Sequence, residues 1–414
     1  MKKNKKRRQS LSLHKLHYSD IFIFLFLFLL PTQFGKHFFF SFSYLSGIRI
    51  DYLAPTVYLI DLLLIPLLIM YRKSIAKFFN NKLIFGALGL FIINIFFSSS
   101  PFISLYRFLK IIELLFIFAI FAKERFSSKI LLIGFLANTV FQAVLVILQL
   151  ILKQSVQGLF YFFGERIISL SQPGIAKTAI NGVEILRPYG TFSHPNSLGG
   201  FYLLVYTFFL FLNVSEKETF LKKLLLFLST LLVFFSFSKT VIITYLFINV
   251  FHWLFRTKGE ITCGICEISK AVILAVLGFI FLAASSDPAS IDKRVELMNQ
   301  SFVLIQKHPL FGVGLGTFTQ QVSTLSTKYL YVSPQPVHNI FLLFIAEVGI
   351  FTSTIIGYFL LRFFWNSKKN ALLIGCFLII VATGFADHYW LTLEQNWLLM
   401  GVLMGASFSE EGFS

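Results

Sequence analysis

Three stretches of the sequence put a cation or an imidazole at the start of a long apolar run. In RPYGTFSHPNSLGG, Arg187, His194 and Asn196 stand ahead of FYLLVYTFFLFL. In FSFSKTVII, Ser238 and Lys239 do the same, and in SPQPVHNIFLLFIAEVG so do His338 and Asn339. If each run is a helix, its first N–H groups are unsatisfied and its N-terminus carries partial positive charge. Such an end beside Arg or Lys binds anions. Asn196 or Ser193 can cap the first helix, with Pro195 in its first turn, and Ser238 can cap the second. Ordinary capping accounts for Ser, Asn and Pro singly, and Lys239 alone could snorkel to a membrane surface. Three mouths carrying Arg187, His194, Lys239 and His338 suggest a ligand with several negative charges, provided that the mouths converge.

A fourth stretch, DKRVELMNQSFVLIQKHPLFGVGLGTF, carries Arg294 at the start of an expected amphipathic helix. Val295, Met298, Phe302 and Ile305 recur at helical spacing and suit a helix lying on a membrane. The following glycines are no dinucleotide fingerprint, because no strand–turn–helix context surrounds them. They suit a tight re-entry of the chain.

These stretches are embedded in a chain whose composition decides its solvent. Of 414 residues, 56% are hydrophobic and 13% charged, and 54 are Phe. Successive apolar segments of about 17–25 residues match a bilayer core of about 30 Å. Unalternating runs such as KLIFGALGLFIINIFF exclude a transmembrane barrel. The expected fold is therefore all-α and polytopic, a single membrane domain over 1–414 with about twelve spans. These fall near 19–38, 52–70, 83–98, 103–122, 130–152, 197–213, 220–236, 239–255, 270–285, 338–361, 371–386 and 389–407. The net charge of +17 sits in short clusters between spans, which reads as orientation signal and not as a nucleic-acid surface. YRKSIAKFFNNK, KERFSSK, SEKETFLKK, RTKGEITCGICEISK and RFFWNSKK then face the cytoplasm with the basic N-terminal tail, and both termini lie inside. Segments 153–196 and 286–337 become the two long outer loops. Cys263 and Cys266 lack the second ligand pair of a structural zinc site, and Cys376 reads as packing.

Charges within spans are costly and call for partners. Lys110 and Glu113 are spaced to pair on one helix face, and Asp61 can join them. Arg107 can belong to this polar knot or can bind lipid near the outer end. Glu347, nine residues beyond His338, points away from that imidazole and suits interhelical bonding.

The four stretches occur in the order, and with the residues, that resemble the superfamily of O-antigen ligases and Wzy-type O-antigen polymerases. The resemblance runs from about Arg187 to Leu360. Lys239 stands where that family usually has arginine, so a point charge replaces a bidentate grip. The resemblance implies an architecture of the GT-C type in the bacterial cytoplasmic membrane. It also implies transfer of a glycan from an undecaprenyl diphosphate carrier to a hydroxyl of a lipid, glycan or protein acceptor at the outer face. That transfer would be inverting, metal-independent and without cofactor. In agreement, the first outer loop offers only Asp51 as a carboxylate, and no Asp-x-Asp occurs. On this reading Arg187, Arg294 and Lys239 hold the diphosphate and His338 is the general base, with His194, Asn196 and Asn339 in support. A polymerase that extends the carrier-linked glycan shares the donor chemistry. A twelve-span transporter is the competing class, against which stands the lack of matching halves.

Overall fold

The computed structural model describes residues 18–180, 182–255, 264–283, 288–325, 335–367 and 370–409. The basic tail 1–10, Cys263, the side chain of Cys266 and parts of the second long loop (284–287 and 326–334) lie outside the described residues. In chain order the elements begin with α1 (Tyr18–Leu29), β1 (Gly35–His37), β2 (Tyr44–Leu45), β3 (Ile48–Arg49) and β4 (Thr56–Tyr58). They continue with α2 (Leu59–Met70), α3 (Arg72–Phe79), α4 (Lys82–Phe96), α5 (Pro101–Lys123), α6 (Ser128–Leu152), β5 (Lys177–Ile180) and β6 (Val183–Leu186). Then come α7 (Pro195–Phe211), α8 (Thr219–Phe235), α9 (Lys239–Phe255), α10 (Gly264–Ala283), α11 (Pro288–Lys307) and α12 (Phe318–Val322). The last are α13 (Ile340–Asn366), α14 (Ala371–Gly384), α15 (Tyr389–Thr392) and α16 (Glu394–Ser409).

A helix stands at each of the twelve expected positions, but one expectation needs correction. The fold is mostly helical, consistent with an all-α membrane protein, and among the described residues three short two-stranded antiparallel ribbons pair β1 with β4, β2 with β3 and β5 with β6. The first span, however, stops early. Thr32 closes α1 by donating its hydroxyl to the Leu29 carbonyl (2.7 Å), and the aromatic stretch after Pro31 folds back as the β1–β4 ribbon. The β2–β3 turn uses Ser46 and Gly47 at φ 49° and 78°, the left-handed pair that two-residue hairpins need.

Among the described residues two helices, α6 and α13, are long and apolar enough to cross a membrane, and α3 with α4, bent by 81°, would make a third. The shortfall from twelve has two causes. Helix α5 has 23 residues but carries Arg107, Lys110, Glu113 and Lys123. Helices α7, α8 and α9 have 17 residues each, a length of about 26 Å against a core of about 30 Å.

Helix α7 is the axis of the fold, buried on every side from Pro195 to Leu210. A helix apolar all round belongs in such a position, and α8, α9, α14 and α16 pack against it. Gly200 permits this, since a Cβ there would run into the Tyr389 ring.

The glycine-rich stretch behaves as expected, with Gly312, Gly314 and Gly316 all at positive φ. It enters a break in α13 at Gly349 (φ 80°). There Val313 and Gly314 donate N–H bonds to the carbonyls of Ala346 and Glu347, and Ile350 donates to Pro309. Glu347 faces this loop and accepts from Phe318 N (3.5 Å), which is the interelement role expected of it.

Candidate active site

The starts of α7, α9 and α13 open onto one cavity of about 1650 Å³ at one end of the bundle. Arg187, His194, Asn196, Lys239, Arg294 and His338 all line it. The convergence on which the anion-site argument depended is therefore present.

The Arg187 turn is held from beneath by two glutamines of α6. Gln149 Oε1 accepts from the N–H groups of Tyr189 and Gly190, both at 2.9 Å, and Gln142 Oε1 accepts from Thr191 N at 3.2 Å. Gly190 reaches the required φ of 57°. Arg187 then donates Nε–H to the Ser236 carbonyl (3.0 Å) and Nη2–H to Asn196 Oδ1 (2.5 Å). Ser236 ends α8 just before Phe237, whose φ of 49° turns the chain abruptly into α9. Burial, with Arg294 nearby, pulls the Arg187 guanidinium down to about 10, so it remains a cation at neutral pH.

The cap of α7 is neither Asn196 nor Ser193. His194 caps it, with Nδ1 accepting from Asn196 N at 3.1 Å. Asn196 is instead a bridge: its Oδ1 takes Arg187, and its Nδ2 donates to Asp387 Oδ2 at 2.7 Å. Asn339 does cap α13, accepting from Phe341 N (2.9 Å) and Leu342 N (3.0 Å).

The segment between α14 and α15 gathers these mouths together. Arg294 donates to the Ala386 carbonyl (3.2 Å), and Asn339 to the Phe385 carbonyl (3.2 Å). His338 Nδ1 lies 3.3 Å from Asp387 Oδ1. Burial opposes ionisation of Asp387, but the His338 hydrogen bond and the neighbouring imidazoles of His338, His388 and His194 outweigh it and hold its carboxyl well below the usual range. Arg294 sits in the second turn of α11 and does not begin that helix as expected. Of the residues assigned to its apolar face, Val295, Met298 and Phe302 are exposed, while Leu297 and Leu304 pack inward. Lys239 is exposed at the rim and has no hydrogen-bond partner among the described residues.

Sequence reasoning missed Asp387, His388, Arg166 and Glu394. Asp387–His388 is a polar pair in a turn of only a few residues between two apolar runs, and that contrast was the available signal. Arg166 donates to the Ser193 carbonyl (3.1 Å) beneath the α7 mouth. Glu394 joins Asp61 and Glu113 around the Lys110 ammonium, at 3.0, 2.9 and 2.8 Å, so the expected knot has a third carboxylate. Arg107 stands apart from it, donating to the Tyr52 carbonyl (3.1 Å) and lining the cavity.

Eight Lys or Arg side chains and five carboxylates line the cavity among the described residues. All five acids are already committed, Glu165 to backbone N–H groups, Glu394 to Lys110, Asp387 to Asn196 and His338, Asp51 to Arg49 and Glu184 to Lys177, which leaves six of the lining cations without a carboxylate of the lining in an ion pair. The cavity therefore presents surplus positive charge. Among the described residues, two groups offer ligand atoms within 4.8 Å of one another, His338–Asp387–His388 and Asp61–Glu113–Glu394. The Lys110 ammonium already occupies the second.

His194 sets an acid limit. Burial first, then Arg187, drives its imidazole from 6.5 to about 3, so it is neutral. The unfolded chain takes up this proton near 6.5 and the folded one only near 3. Its contribution is complete above 6.5 and is lost progressively as pH falls towards 3. Asn at this position keeps a cap acceptor and removes the titration. In detergent, His194→Asn is expected to lose less thermal stability than wild type between neutral and mildly acidic pH. Equal losses would contradict this.

Helices apolar enough for a bilayer, around a cationic cavity at one end of the bundle, are those of a membrane protein. The family model described as O-antigen ligase, Wzy_C, matches residues 224–357. Over that segment the chain is similar to O-antigen ligases, which supports a function of the ligase and polymerase type in general. Lys239, Arg294, His338 and Asn339 fall inside the matched segment, whereas Arg187, His194, Asn196 and Asp387 fall outside it. No curated protein matches the chain.

Proposed function

We propose that the protein transfers a glycan from an undecaprenyl diphosphate carrier to an acceptor hydroxyl at the outer face of the bacterial cytoplasmic membrane. On this reading the chain is a polytopic, GT-C-like membrane glycosyltransferase with both termini in the cytoplasm. The observation that carries it is the convergence of Arg187, Lys239 and Arg294 with the His338–Asp387 pair on one cavity.

In this mechanism His338 directs Nδ1–H to Asp387 and leaves Nε2 to accept the acceptor's hydroxyl proton. The freed oxygen attacks the anomeric carbon as the bond to the diphosphate breaks, which inverts configuration in one displacement. Negative charge grows on the leaving diphosphate, where Arg187, Arg294, Lys239 and the aligned N–H groups of the helix mouths stabilise it. Asn196 and Asn339 keep the cations and His338 in register with the Asp387 turn, and His194 holds the α7 mouth. No step calls on a divalent ion.

Polymerase and ligase readings share this chemistry and differ in the acceptor. Purified protein given a carrier-diphosphate glycan and candidate acceptors is expected to release carrier diphosphate and form inverted product. Activity should persist after treatment with a chelator. A product that lengthens on the carrier indicates polymerase; one on a new anchor indicates ligase. No transfer to any acceptor, or activity lost on chelation and restored by metal, would overturn the mechanism.

A further inference from the structure

We propose that His338, Asp387 and His388 form a binding site for zinc or a chemically similar divalent ion, and that its occupation silences the transfer reaction. The second half rests on the base role proposed for His338; the first does not.

The site follows from how the His388 ring is held. Thr392 Oγ donates its one proton to the His388 carbonyl (3.2 Å) and also lies 2.7 Å from His388 Nδ1. While that proton is on the carbonyl, the hydroxyl accepts from Nδ1–H and Nε2 presents the lone pair that a metal requires; a hydroxyl turned to donate to Nδ1 gives the other tautomer. Nε2 has no hydrogen-bond partner among the described residues and faces Asp387 Oδ1 at 3.9 Å. Both residues are largely buried yet line the cavity, so an ion entering from it can reach both ligand atoms.

His338 completes the set, with Nδ1 at 3.3 Å from the same carboxylate oxygen and its ring centroid 5.0 Å from that of His388. Nitrogen and oxygen ligands about 2.0–2.2 Å from a tetrahedral zinc ion lie roughly 3.3–3.6 Å apart. The three ligand atoms lie within 4.8 Å of one another, so closing on an ion needs movements on the order of 1 Å. Thr392 supplies the partner that orients a metal-bound imidazole through its other nitrogen. Two imidazoles and one carboxylate select zinc, cobalt or nickel over magnesium, which prefers oxygen donors. The fourth position opens to the cavity, where water or a phosphate oxygen can enter. Arg187 and Arg294 raise the cost of a further cation, so micromolar affinity is expected. A metal on His338 Nδ1 displaces its proton. The remaining ring proton then resides on Nε2, which becomes a donor and can no longer take a proton from an acceptor hydroxyl.

The test titrates the purified full-length protein with Co²⁺, read by visible absorption, and with Zn²⁺ in competition with a chromogenic chelator. Wild type is expected to bind one ion per chain with tetrahedral cobalt bands and no response to Mg²⁺. His388→Gln should abolish the bands, and Thr392→Val should weaken binding about tenfold or more. Unchanged binding in both variants, or none in wild type, overturns the site. In transfer assays Zn²⁺ should inhibit over the concentration range in which it binds, with recovery on chelation. Binding without inhibition, or with stimulation, overturns the silencing. Binding with no transfer under any condition sustains the site and overturns both the silencing and the transferase reading.

Discussion

Replacing His338 with alanine, or Asp387 with asparagine, is expected to lower the transfer rate by about 10²–10⁴-fold, the usual contribution of a positioned general base. The Asp387 substitution needs a control, because Oδ1 also accepts from His388 N (2.8 Å) and Oδ2 accepts from Asn196 Nδ2. An amide at 387 would set two NH₂ groups against each other. Turning Asn196 to relieve this would cost its Oδ1 bond to Arg187. The double variant Asp387→Asn with Asn196→Asp restores donor to acceptor along that chain and still gives Arg187 an oxygen. It is expected to regain the thermal stability of wild type while staying slow, because the carboxylate has moved away from His338. Rapid transfer by His338→Ala, or by the double variant, would remove the base assignment. The rates are measured as release of carrier diphosphate at saturating acceptor.

The second large effect is on stability. Lys110→Met is expected to destabilise the protein by about 3–5 kcal/mol, the range seen when one partner of a buried charge cluster is removed. The reason is local. The Lys110 side chain is 10% exposed and its ammonium lies within 3.0 Å of three carboxylates, on α2, α5 and α16. Without it, Asp61, Glu113 and Glu394 face one another where water screens poorly. Adding Glu113→Gln and Glu394→Gln to Lys110→Met should recover most of the loss. Apparent melting temperatures in detergent measure both steps. An unaltered Lys110→Met protein would show that the cluster is solvated or already neutral.

The cluster also shows where reading along the chain stops. The pairing of Lys110 with Glu113 was legible because helical spacing places residues three apart on one face, and Asp61 was within reach as a further intramembrane charge. Glu394 was not legible, since it reaches Lys110 only because α16 packs along α5, 284 positions away. Asp387 escaped for the same reason. Its significance comes from bonds to Asn196 and His338, both distant in sequence, and nothing in the turn ADHYW announces them.

The sequence by itself determined the solvent, the positions of the helices and the four stretches that bear the site. Apolar run length, capping residues and glycine conformation act over a few residues, and they hold whatever the chain packs against. The tertiary structure decided what spacing cannot encode. It turned the aromatic segment after Pro31 into a ribbon, made His194 rather than its neighbours the cap of α7, and made Asn196 the bridge from Arg187 to Asp387. It also brought three helix mouths to one cavity around the α14–α15 turn. Each of those outcomes depends on which helices become neighbours, and that choice is made by burial around α7, not by any local pattern.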